Sequence, residues 1–173
     1  TTDLHGKFVP YEYARATKSD GGLTQISTLV QEQKNLNENT IVVDNGDTIQ
    51  GNYNHLFLSD SVNPMILAME DIGYDSYSFG NHEFNFGMDK LFEITTQSEN
   101  ANIAALCANL YKDGSRVFDA YNMETMPNGI KIATIGVVTP HIDKWDGPNL
   151  VGYVPTNPVT EVAKVIDQIK AAG

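Results

Sequence analysis

Apolar residues recur along this chain at two spacings, and the spacing changes several times. In "GGLTQISTLVQEQKNL" (residues 21–36), Leu23, Ile26, Leu29 and Val30 fall at helical intervals with polar residues between them, which predicts a helix. "TIVVDNGD" (40–47) reads as a short buried strand that stops in a turn punctuated by Asn45-Gly46. "SVNPMILAMEDIG" (61–73) predicts a second helix, with Pro64 suited to its first turn, Met65, Ala68, Met69 and Ile72 on one face, and Gly73 ending it. A strand over 74–80, a helix over 88–99 and a strand over 101–110 follow. Residues 116–125 and 130–138 read as an antiparallel pair joined by Pro127-Asn128-Gly129, and a last helix covers about 158–172. Strands alternating with helices predict an α/β layered fold with a largely parallel first half.

The length of 173 residues is one domain's worth, and 41% hydrophobic with 19% charged residues is ordinary for a globular chain. No stretch approaches the roughly 20 apolar residues of a membrane span. The formal net charge of −11 sets the chain against polyphosphate backbones, which excludes a role in coating DNA or RNA. A small phosphorylated ligand stays open if bound cations invert the local field. The single cysteine, Cys107 in "IAALCANL", is expected to be a small buried apolar residue. Asp3 and His5 sit where a strand should finish, although only two residues precede them, and the last helix runs into the C-terminus. The chain is therefore expected to be clipped at both ends.

Three polar clusters follow predicted strands: Asp3-Leu4-His5, Gly46-Asp47 and Gly80-Asn81-His82-Glu83. Ligands of open α/β sheets bind beyond the carboxyl ends of the strands, so these loops can bring Asp3, His5, Asp47, Asn81 and His82 together. Carboxylate and imidazole suit zinc, manganese or iron, and no thiolate is present among them. Asp47 has two oxygens with which to bridge two ions, and Asn81 has a neutral carbonyl oxygen to offer one of them. Two ions roughly 3.5–4 Å apart form the usual clamp on a phosphoryl group and activate water near neutral pH.

The ordered set D-x-H, GD and GNH[ED] resembles the calcineurin-like metallophosphoesterase superfamily. "TTDLHG", "PYEY", "DNGDTIQGN", "GYDSYSFGNHEFNFG", "ANLY" and "TPHIDKWDGPNLVG" are similar to the N-terminal part of bacterial 2′,3′-cyclic-nucleotide 2′-phosphodiesterase/3′-nucleotidase proteins, over almost the whole chain. The resemblance implies a layered β-sandwich flanked by helices, with residues 1–173 forming the N-terminal part of a catalytic domain. It implies that Asp3 and His5 bind one divalent ion, that Asp47 bridges two, and that Asn81 binds the second. The ions would be manganese or zinc, with iron as an alternative. His82 would act as general acid or phosphate contact beside Asn81, on a small nucleotide substrate. The family's later histidine motifs have no counterpart here, because His141 in "TPHIDKW" matches neither. The remaining ligands and a C-terminal substrate-binding domain are expected beyond Gly173, and these residues alone are expected to be inactive. The resemblance also implies a periplasmic or cell-surface location.

Beside these, Asp44 and Glu83 are expected to support the turns, and His55 and His141 to be surface residues. Phe84 and Phe86 are expected in the core, and Trp145 is expected to pack a loop. Asn109 reads equally as a loop cap or as a contact near the site. Within the hydrolase reading, a 5′-nucleotidase or nucleotide-sugar hydrolase shares the same three motifs. A non-catalytic metal-binding module is the alternative of a different class.

Overall fold

The computed structural model describes residues 1–172. In chain order its elements are β1 (Tyr11–Glu12), β2 (Thr17–Lys18), α1 (Leu23–Leu36), β3 (Val43–Asp44), α2 (Pro64–Ile72), β4 (Ser76–Ser78) and α3 (Met88–Asn100). There follow β5 (Ala104–Leu106), β6 (Leu110–Lys112), β7 (Ser115–Arg116), β8 (Tyr121–Thr125), β9 (Lys131–Ile135), α4 (Asp143–Asp146), β10 (Tyr153–Pro155) and α5 (Pro158–Ala172). The result is a mixed α/β fold in which small sheets are flanked by helices.

The parallel centre is β3-β4-β5, with Asp44 opposite Tyr77 and Tyr77 opposite Ala105. Helices α2 and α3 make the crossovers that parallel pairing requires. Helix α2 starts where Asn63 accepts a hydrogen bond from the Met65 N–H (2.9 Å) and Pro64 occupies the first turn. It ends at Gly73, which adopts φ 82°. Its face of Met65, Ile66, Met69 and Ile72 joins Leu91 and Ile94 of α3 in one core with Tyr77, Phe79, Phe84 and Ile103. The first residues run alongside β3: the Asp3, His5 and Gly6 N–H groups donate to the Gly46, Asp47 and Thr48 carbonyls at 2.8–2.9 Å.

The long strand predicted over 101–110 is two strands. Asn109 breaks it: its side chain accepts from the Val138 N–H (2.8 Å) and donates to the Val138 and Thr156 carbonyls (2.9 Å each). The amide takes the place of a backbone partner, and the chain turns away to pair β6 with β7 and β10. Asn109 is thus a buried structural residue. The strand predicted over 116–125 also divides, between β7 and the hairpin β8–β9. Helix α5 covers this half through Val165 against Ala108 and Ala120. Glu161 anchors it by accepting from Tyr111 Oη (2.6 Å), Lys164 Nζ (2.6 Å) and Arg116 Nη2 (3.3 Å). Among the described residues, no helix is long and apolar enough to cross a membrane.

Candidate metal centre

Three turns meet at the carboxyl ends of the parallel strands. Asp3, His5 and Asp47 all adopt left-handed backbone (φ 54°, 47° and 56°), a conformation that asparagine, aspartate and histidine tolerate better than most residues. Such residues persist where their surroundings over-determine them. Here the ladder from residues 3, 5 and 6 onto 46, 47 and 48 holds both sides. The turns approach so closely that a Cβ at Gly46 would strike the Gly80 backbone, and one at Gly80 would strike the Asp47 carboxylate.

Two buried carboxylates tie the turns down. Asp44 accepts from the Gly46 N–H (3.0 Å) and from the Thr48 hydroxyl, closing the turn that carries Asp47. Glu83 has no exposed surface and accepts three backbone N–H groups, from Asp47, Thr48 and Gly80, each at 2.8 Å. Burial pushes its carboxyl above the ordinary range, although the three N–H groups pull the other way. One side chain thereby fixes the Asp47 turn against the turn that carries Asn81 and His82. Asp47 completes the link by accepting from the His82 N–H at 2.8 Å.

His5, Asp47 and His82 each present a ligand atom within 4.8 Å of the others, one such group of histidine and carboxylate side chains among the described residues. The two imidazole rings meet edge to face, with centroids 5.2 Å apart. Asp3 Oδ1 lies 3.8 Å from His5 Nε2 at the exposed side of the group. Asp3 and Asn81 line a cavity of about 290 Å³ together with Asp47, Thr139 and Trp145. The five predicted residues therefore converge, with His82 inside the tight group rather than outside it. His55 and His141 are exposed and belong to no such group.

The donors suit a divalent transition ion. His5 Nδ1 faces the Gln50 carbonyl (3.1 Å) and Gln50 Oε1 (2.9 Å); both are acceptors, so Nδ1 carries the proton and Nε2 keeps its lone pair. Imidazoles that bind metal are regularly held in this way. Gln50 escaped the sequence reading, as did Asn85, whose Oδ1 lies 2.7 Å from His82 Nδ1. Their signal was only position: a polar side chain three residues after each of Asp47 and His82. Trp145 differs from expectation. Ile142 and Asp146 are buried on either side of it, whereas the indole is 62% exposed on the cavity rim instead of packed in a loop.

Fold and site define an α/β protein with a carboxylate–imidazole centre at the tips of parallel strands. The chain belongs to the calcineurin-like phosphoesterase family, whose sequence profile matches residues 1–170. It is 34% identical over 197 residues to the trifunctional nucleotide phosphoesterase protein YfkN of Bacillus subtilis, covering all of this chain and 13% of that protein. It is 31% identical to the 2′,3′-cyclic-nucleotide 2′-phosphodiesterase/3′-nucleotidase of Salmonella typhimurium, again over the whole chain and 29% of that protein. The crystal structure of calcineurin-like phosphoesterase YfkN from B. subtilis superposes with a TM-score of 0.87 at 32% identity, covering 100% of this chain and 57% of that one. The chain thus spans less than a third of the curated relatives and just over half of the solved structure.

Proposed function

We propose that this chain forms part of a metal-dependent phosphoesterase that hydrolyses nucleotides, with 2′,3′-cyclic nucleotides and 3′-nucleotides as its substrates. The observation that carries this reading is the convergence of His5, Asp47 and His82 beside a cavity that Asp3, Asn81 and Trp145 line. The names of the Bacillus and Salmonella relatives support the substrate class. A Vibrio vulnificus relative, 33% identical and named a 5′-nucleotidase, keeps that activity as the second reading.

Asp3, His5, Asp47 and Asn81 would hold two divalent ions, manganese or zinc, which supply charge neutralisation at the phosphoryl group and activation of water. The protein's own residues do the rest. Glu83 and Asp44 hold the Asp47 turn so that the carboxylate is placed before substrate arrives. His82 handles the proton at the leaving ribose oxygen through Nε2. Trp145 offers an aromatic face to the base.

The test is turnover of 2′,3′-cyclic AMP, 3′-AMP and 5′-AMP by the full-length protein with manganese. The proposal expects the first two to exceed the third. Preference for 5′-AMP would transfer the assignment to a 5′-nucleotidase, and no turnover with any of them would leave a metal-binding module.

A further inference from the structure

His82 Nδ1 lies 2.7 Å from Asn85 Oδ1, and Asn85 Nδ2 donates to Asp146 Oδ1 at 2.9 Å. Asp146 belongs to α4, sixty-one residues downstream, and is 8% exposed. An ionised carboxylate only accepts hydrogen bonds, whereas an amide can turn either end toward a neighbour. Asp146 therefore decides which end of Asn85 it meets: the NH₂ must face the carboxylate. The carbonyl end then faces His82, which obliges Nδ1 to be the protonated nitrogen and leaves the lone pair on Nε2. A second amide steadies the segment, since Asn149 Nδ2 donates to the carbonyls of Phe84 (3.0 Å) and Asn85 (3.3 Å).

We propose that Asp146 is a positioning residue that sets the tautomer of His82 through Asn85, so that neutral His82 carries its proton on Nδ1 and keeps its lone pair on Nε2. The direction of each hydrogen bond is passed along the chain. His5 reaches the same tautomer by a separate route, the backbone carbonyl of Gln50. Both rings of the cluster thus present unprotonated Nε2 when neutral, although one is fixed by backbone and the other by α4. Because α4 also carries Trp145, the element that sets the ring stands next to the cavity rim.

The experiment is long-range ¹H–¹⁵N correlation NMR of the imidazoles in metal-free protein, at a pH where both rings are neutral. In the wild type, His82 is expected as the Nδ1–H tautomer. Asp146→Asn keeps the shape but lets either amide end face Asn85, and it should shift the His82 tautomer ratio by roughly three- to tenfold. His5 should not change. Asn85→Leu, at an exposed position, should release His82 to the Nε2–H form that a free imidazole prefers. A wild-type His82 in the Nε2–H form, or an unchanged ratio in both variants, would overturn the proposal. Its consequence for turnover rests on the phosphoesterase reading: Asp146→Asn should lower kcat about tenfold with KM unchanged. A moved tautomer with unaltered kcat would overturn that consequence alone.

Discussion

Replacing Glu83 by glutamine changes one atom at the most constrained point of the site. In the wild type, Oε2 accepts from the Asp47 and Gly80 N–H groups and Oε1 accepts from Thr48. The best glutamine conformer keeps its oxygen where two bonds converge, so its NH₂ points at the Thr48 N–H. Two buried donors then face each other without an acceptor, and each unsatisfied group costs about 1–3 kcal/mol. Part of that is offset, because the variant no longer buries a charge, and burial is the main reason the carboxyl titrates high. We expect a net loss of about 3 kcal/mol, which for a chain of this size lowers the melting temperature by about 6–12 °C. The assay is thermal unfolding of metal-free wild type and variant at pH 7. A shift below about 2 °C would refute the account, because the three N–H groups would then have partners other than Glu83.

Three further outcomes follow from the same contacts. Asp47→Asn in the full-length enzyme should reduce turnover at saturating manganese by about 10²-fold or more, because this carboxylate sits within the donor group and also holds the His82 backbone; near-normal steady-state rates would remove Asp47 from the site. Lys164, then Tyr111, hold Glu161 below the ordinary carboxylate range, so its contribution to stability is present above about pH 4.5 and lost as pH falls through its folded value. Glu161→Gln should therefore melt lower than wild type at pH 7, with the gap closing below pH 4.5; a gap independent of pH would contradict the linkage. Trp145 stands exposed on the cavity rim, so Trp145→Ala in the full-length protein should raise KM for 3′-AMP roughly 5- to 100-fold while leaving KM for ribose phosphate unchanged; an unchanged KM for 3′-AMP would leave the indole without a role in binding.

Much of this arrangement was legible because it is local. Helices α1 and α2 are readable from apolar spacing, although in α1 the predicted face holds only in part: Leu23 is buried and Ile26 and Val30 pack against the core, but Leu29 is exposed. The three polar clusters were readable because strand tips in α/β sheets collect ligands. What escaped depends on contacts distant in sequence or on the direction of a hydrogen bond. Nothing near Asn109 tells that its amide will pair with Val138 and divide a strand, and residues 110–112 look like a continuation. Asp146 carries no local sign that it meets Asn85. Trp145 reads as a packed residue because aromatic residues usually pack, and nothing local in the sequence tells that the indole stands 62% exposed on the cavity rim.

The short strands and the site have one cause. β3 is Val43–Asp44 although the apolar run is longer, and it ends because Gly46 (φ 93°) and Asp47 (φ 56°) leave the extended region. A regular strand would have continued the ladder and alternated its side chains across the sheet. Instead, the left-handed turn frees the N–H groups of Asp47 and Thr48 from sheet pairing, and Glu83 collects both. The same turn leaves the Asp47 carbonyl to accept from His5 and its carboxylate to accept from His82. One residue therefore contacts all three motif segments, which no residue in a regular strand at this position would do. The unfavourable backbone at Asp47, Asp3 and His5 is then the structural condition for the convergence, and Glu83 and Asp44 are what make it stable.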